Sequence, residues 1–148
     1  MSVKVQSTNN VIIDVHQQFI QMSSTIQNIL IDIDINNEVE TVIPLPFNSS
    51  VLKMVNQFCE EYNNKKKSEE TFLREFFAVD VQVLLKLIQV ANFLDIKELL
   101  VNACAAVSSS CDLMDISEIR SLFNISSDFT PEEENKIKED NSWCLPKM

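Results

Sequence analysis

Among its 148 residues this chain has no glycine. Every backbone position that needs a positive φ must therefore go to a residue with a Cβ, and asparagine tolerates that conformation best. Three asparagine pairs, Asn9-Asn10, Asn36-Asn37 and Asn63-Asn64, are spaced as such turns. The same absence removes glycine-rich phosphate loops and dinucleotide fingerprints, which need backbone amides unobstructed by side chains.

A chain of this length fits one domain, or one domain with a small appendage. It buries roughly 70% of its unfolded surface, enough for a core without a metal or a disulfide. Twelve Lys and Arg stand against 22 Asp and Glu, a formal net charge of -10. That balance argues against nucleic acid phosphates and against anionic membrane surfaces. The N-terminus alternates instead of presenting an apolar block, so no signal peptide is expected. No apolar run approaches the ~20 residues of a membrane span. The four cysteines, Cys59, Cys104, Cys111 and Cys144, form no C-x-x-C pair. Free thiols in a reducing cytoplasmic and nuclear setting are the natural expectation.

"VKVQSTNNVIIDV" reads as two alternating runs about Thr8-Asn9-Asn10, in which Val3 and Val5 share one face of their run and Val11, Ile13 and Val15 share another of theirs: a hairpin. Ser24 and Gln27 are placed as a capping box before Ile26, Ile29, Leu30 and Ile33 at helical spacing. "TVIPLP" (41–46) is extended, and its prolines confine it to a short or edge strand. Asn48 or Ser49 caps a helix with the stripe Val51, Leu52, Val55, Phe58, Cys59 and Tyr62. Residues 63–71 are the best internal loop, followed by a short apolar helical turn at 72–79. "VQVLLKLIQVANFL" is apolar nearly all round, so that helix should be central.

Beyond Ser110 the character changes. Asp115 and Glu118 are spaced as a capping box for "ISEIRSLF". Thr130 fits an N-cap, with Pro131 at N1 and Glu133 at N3. Glu132–Lys136 and Glu134–Lys138 are i,i+4 pairs in the favourable order. Ile137 is the one large apolar residue of that last helix, so it needs docking to be stable.

Catalytic candidates are scarce. His16 is the only histidine and ends a predicted strand, where a surface or capping role outweighs a catalytic one. That scarcity also weakens a Cys-His nucleophile at Cys144, and four dispersed cysteines make a poor zinc site. Lys65-Lys66-Lys67 beside Glu69 and Glu70 reads as a solvated loop, and the clustered carboxylates as a solvated acidic face. No catalytic residue, metal site or cofactor is expected.

Two features point to binding. Leu100, Cys104, Val107 and Cys111 form a helical ridge beside Ile96, Leu99, Ala103 and Ala106. Such a ridge usually faces the chain's own core, but a helix apolar on two faces can serve a second surface, a partner's or the C-terminal helices'. Trp143 follows a helix that has little means of burying it. It can fold back on its own chain, but the interface reading is favoured because tryptophan is a frequent hot-spot residue.

"LIQVANFLDIKELLVNAC" and "IRSLFNISSDFTPEEENKIKEDNSWC" resemble, in order and spacing, two blocks of the S-phase kinase-associated protein 1 family, small adaptors of SCF-type ubiquitin ligases. The resemblance covers essentially the whole chain. It implies an α+β architecture: a BTB/POZ domain at 1–110 with a small sheet and surrounding helices, then an F-box-binding helical extension at 111–148. It implies two partners, an F-box protein and a cullin, and no catalysis; the alternative reading is an adaptor that serves F-box proteins outside a ligase or, when unpartnered, forms BTB-type homodimers as a scaffold. By position, Asn92 and Phe93 match the cullin-facing block. Leu100, Cys104, Val107, Phe123, Trp143 and Cys144 match the F-box surface. Phe93 stands where the family often has tyrosine, the 63–71 loop is shorter and carries a lysine run, and "LPKM" replaces a charged ending.

Overall fold

The computed structural model describes residues 3–33, 40–64 and 67–144. Alternation at the N-terminus becomes β1 (Val3–Gln6) paired antiparallel with β2 (Ile12–Asp14), Val5 opposite Ile13. Asn10 takes the left-handed turn position at φ 60°. β3 (Thr41–Pro44) lies parallel to β1 at the sheet edge, in the order β2-β1-β3. There Pro44 leaves no interior ladder position without a donor. Val3, Val5, Ile13 and Ile43 bury the inner face. On the outer face Lys4 bridges Glu40 ahead of β3 and Asp14 of β2, and the hydrogen bond to Glu40, helped by the charge of Asp14, raises the lysine pKa.

A parallel pair needs a crossover, and two helices supply most of it: α1 (Gln17–Met22) and α2 (Ser24–Asp32). No pattern in the sequence signals α1, and the cap of α2 falls one residue before the expected Ser24. Ser23 is the cap: its hydroxyl accepts from the Ile26 amide at 3.2 Å and donates to the Leu94 carbonyl at 2.6 Å. Gln27 reaches the Gln21 carbonyl instead of closing a box.

α3 (Ser49–Asn64) carries the expected stripe: Val51, Leu52, Val55, Phe58 and Cys59 are buried and Tyr62 half-buried. It packs on α1, α4 and α5. The helix runs through Asn63-Asn64, where a turn was expected; the Asn63 side chain donates to the Cys59 carbonyl one turn back. Asn36-Asn37 lies outside the described residues. α4 (Glu69–Phe76), capped by Ser68, begins inside the expected loop and brings Phe72, Phe76 and Phe77 around Phe58. Buried Asn56 ties the sheet to α3, accepting from the His16 amide and donating to the Asp14 carbonyl, both at 3.0 Å.

α5 (Val81–Leu94) buries Leu84, Leu87, Val90, Ala91 and Leu94 against α2 and α3. It ends on Asp95, left-handed at φ 51°, and the Ile96 amide turns back to the Ala91 carbonyl. α6 (Lys97–Cys111) follows.

By packing, the chain divides into two compact units, Met1–Ser110 and Cys111–Met148. The second holds α7 (Ile116–Leu122), α8 (Pro131–Asp140) and a 3-10 turn, Ser142–Cys144. Both capping boxes form as expected, Asp115 with Glu118 and Thr130 with Glu133. Asn124 takes a left-handed position after α7, at φ 53°. Among the described residues of this unit none is buried.

Candidate partner-binding surfaces

The structure gathers little chemistry. His16 precedes α1, and its Nε2 meets Glu60 Oε2 at 3.0 Å on the surface. The Cys59 thiol is pushed up to about 12, chiefly by burial and secondarily by the charge of Glu98, so it stays protonated and inert. Cys104 and Cys144 are exposed, and the Cys144 thiol points back at the Asn141 carbonyl at 3.0 Å. Among the described residues no group of three or more His, Cys, Asp or Glu is arranged to hold a metal. Among the same described residues no single helix is long and apolar enough to cross a membrane.

What the surface does present is apolar. At the end of α5, Asn92 and Phe93 are exposed side by side, Phe93 at 45%. The Phe93 backbone is fixed by the Thr25 hydroxyl, which donates to its carbonyl at 2.8 Å.

On α6 the apolar residues sort into two rows. Leu99, Ala103 and Val107 are buried; Leu100 is half-buried, and Val101 and Cys104 are exposed. Val107, expected in the F-box ridge, is buried in the free chain. It lies four and eight residues from Ala103 and Leu99, so the helix turns it toward the packed row at 8% exposure. Leu100 and Cys104 keep the outward orientation, and Val101, missed in the sequence, joins them.

The second unit exposes most of its large apolar side chains: Leu113, Ile116, Phe123, Ile125, Phe129, Ile137 and, at 83%, Trp143. Of these, Phe123 and Trp143 were expected from the sequence. Phe129 carried a legible signal. It sits just before the Thr130 cap, where an apolar residue normally staples to the fourth helical residue. Here that residue is Glu134, so the staple has no mate.

Glu134 has another task. Its carboxylate pairs with Arg120 at 2.6 Å, joining α7 to α8, and the expected partner Lys138 adds only a weaker attraction. The hydrogen bond from Arg120, reinforced by its charge, holds the Glu134 carboxyl below its ordinary 4.5. A carboxyl with a depressed folded pKa stabilises the fold above its unfolded value and loses that contribution as pH falls through the folded one. The clip is therefore complete at neutral pH and released in acid, below 4.5. In Arg120→Ala the Glu134 midpoint, followed by carboxyl NMR, should move back up toward 4.5; an unmoved midpoint would refute the assignment.

A model of the Skp1 family, tetramerisation domain, matches residues 1–64, and one of the Skp1 family, dimerisation domain, matches residues 97–144. The SCF ubiquitin ligase complex protein SKP1a of Dictyostelium discoideum is 36% identical over 98% of this chain and 96% of its own length. The chain belongs to the Skp1 family. Its first unit carries the family's POZ fold, a small three-stranded sheet with helices around it. Other relatives of this Skp1-family chain match at similar levels. The E3 ubiquitin ligase complex SCF subunit sconC of Talaromyces stipitatus is 37% identical over 96% of both chains. Suppressor of kinetochore protein 1 of Schizosaccharomyces pombe is 34% identical over the same shares. The exposed apolar residues of α6, α7 and α8 and Trp143 lie within the segment matched by the dimerisation-domain model.

Proposed function

We propose that this chain is a non-catalytic adaptor of an SCF-type E3 ubiquitin ligase, acting in cytoplasm and nucleus. It joins a cullin, met by Asn92 and Phe93, to F-box proteins, met by Leu100, Cys104, Val107, Phe123, Trp143 and Cys144. The observation that carries the reading is the second unit: among its described residues it buries no side chain, yet it exposes seven large apolar ones. Capping boxes and one ion pair form its helices; they do not give it a core. Such a surface draws its affinity from desolvating aromatic and aliphatic anchors against a partner. The names of the Dictyostelium and Talaromyces relatives supply the assembly in which that partner is sought.

Paired Asn92→Ala and Phe93→Ala should weaken binding of a cullin N-terminal region at least tenfold, a loss of about 1.4 kcal/mol, while F-box affinity stays at the parent level. Equal loss of both partners would point to misfolding and remove the assignment. A second reading, self-association when unpartnered or service to F-box proteins outside a ligase, is favoured by the same uncovered apolar residues and by the dimerisation and tetramerisation names of the family models. Light scattering of the free chain, with and without an F-box fragment, separates the readings.

A further inference from the structure

Two aromatic residues from distant parts of the sequence meet on the first unit. The Phe47 and Phe93 rings lie 5.2 Å apart between centroids, inclined at 79°, the edge-to-face geometry that ring quadrupoles favour. Phe47 follows β3, and Phe93 is the last residue but one of α5. Neither ring is buried: Phe47 is half-buried and Phe93 is exposed.

The backbone beneath each ring is held from elsewhere. The Thr8 amide donates to the Phe47 carbonyl at 2.9 Å. Two residues on, Ser49 is held by Asn9, whose side chain donates to the Ser49 hydroxyl at 2.9 Å and accepts from its amide at 3.2 Å. On the other side, the Thr25 and Ser23 hydroxyls donate to the Phe93 and Leu94 carbonyls at 2.8 and 2.6 Å. Rings on backbone fixed in this way have little freedom left to lose on binding.

We infer that Phe47 is a specificity-determining residue of the cullin-facing surface, forming with Phe93 one two-ring anchor for an apolar side chain of the cullin. The inference rests on the reading that Asn92 and Phe93 meet the cullin. It extends that surface by direct contact, since the Phe47 ring touches the Phe93 ring. It also names the chemistry of the occupant. Two phenylalanine rings offer no hydroxyl at their rims, so the complementary group is an aliphatic or thioether side chain and not a hydrogen-bonding one.

The test uses the full chain bound to an F-box fragment, titrated in a calorimeter with the N-terminal region of a cullin from the same organism. Phe47→Ala and Phe93→Ala should each weaken cullin binding about tenfold, and Phe47→Leu by less. The double variant should lose several-fold less than the product of the single losses, because both rings serve one anchor. Unchanged F-box affinity shows that each variant is folded. Phe47→Ala binding as tightly as the parent, with Phe93→Ala weakened, overturns the role of Phe47 and leaves the cullin-face reading standing. Strictly multiplicative losses overturn the shared anchor. A parent chain that does not bind the cullin overturns both.

Discussion

Trp143→Ala is expected to leave the first unit folded and to weaken F-box binding by about 2 kcal/mol or more, close to thirtyfold in affinity. The indole is 83% exposed in the free chain, on a 3-10 turn with no buried residue. Removing it deletes no core contact, so thermal melting of the first unit should not move. The loss should appear only when a partner desolvates the ring. Titration of an F-box fragment into parent and variant is the measurement. Equal affinities would return Trp143 to the status of an ordinary surface residue and leave the second unit without its principal anchor.

Phe58→Ala should produce the opposite pattern. Phe58 is fully buried at the centre of an aromatic cluster, with Tyr62, Phe72, Phe76 and Phe77 all within 6.0 Å between centroids. Those rings come from α3, from α4 and from the residue that ends α4, so the truncation opens a cavity between two helices. Such truncations cost about 3–5 kcal/mol, a large share of the roughly 5–15 kcal/mol that holds a domain together. Denaturant unfolding should show the midpoint falling sharply. A change below about 1 kcal/mol would mean that the neighbouring rings collapse into the space.

The elements legible in the sequence were those decided within a few residues. Thr130 with Glu133 and Asp115 with Glu118 needed no tertiary information, because both partners of each box lie in one turn. The β1–β2 hairpin and the edge position of β3 were equally local, one fixed by alternation and the other by Pro44. Where the deciding partner is remote, the local pattern does not carry it. Ser23 and not Ser24 caps α2 because the Leu94 carbonyl, 71 positions away, engages that hydroxyl. Asn63-Asn64 gave no sign that α3 would continue through it, whereas Asp95 and Asn124 took left-handed turns that only the helix ends required. On α6, Val107 fits both the 100/104/111 row and the 99/103 row at helical spacing. Periodicity alone could not assign it; burial did. Of the surface residues, Trp143 was visible as an orphan aromatic. Phe47 was not, because what singles it out is its contact with Phe93, 46 positions along the chain.

A unit that forms its helices through caps and one Arg120–Glu134 clip, and buries none of its described residues, makes the lifetime of the chain depend on its company. Local opening of such a segment costs little, and a protease acts on the open form. A partner that binds the closed form at a hundred times its dissociation constant adds about 2.7 kcal/mol against opening, lowering the cleavable fraction about a hundredfold. Chains in excess of their partners would be removed first, and the cell would hold roughly as much adaptor as it has receptors to join.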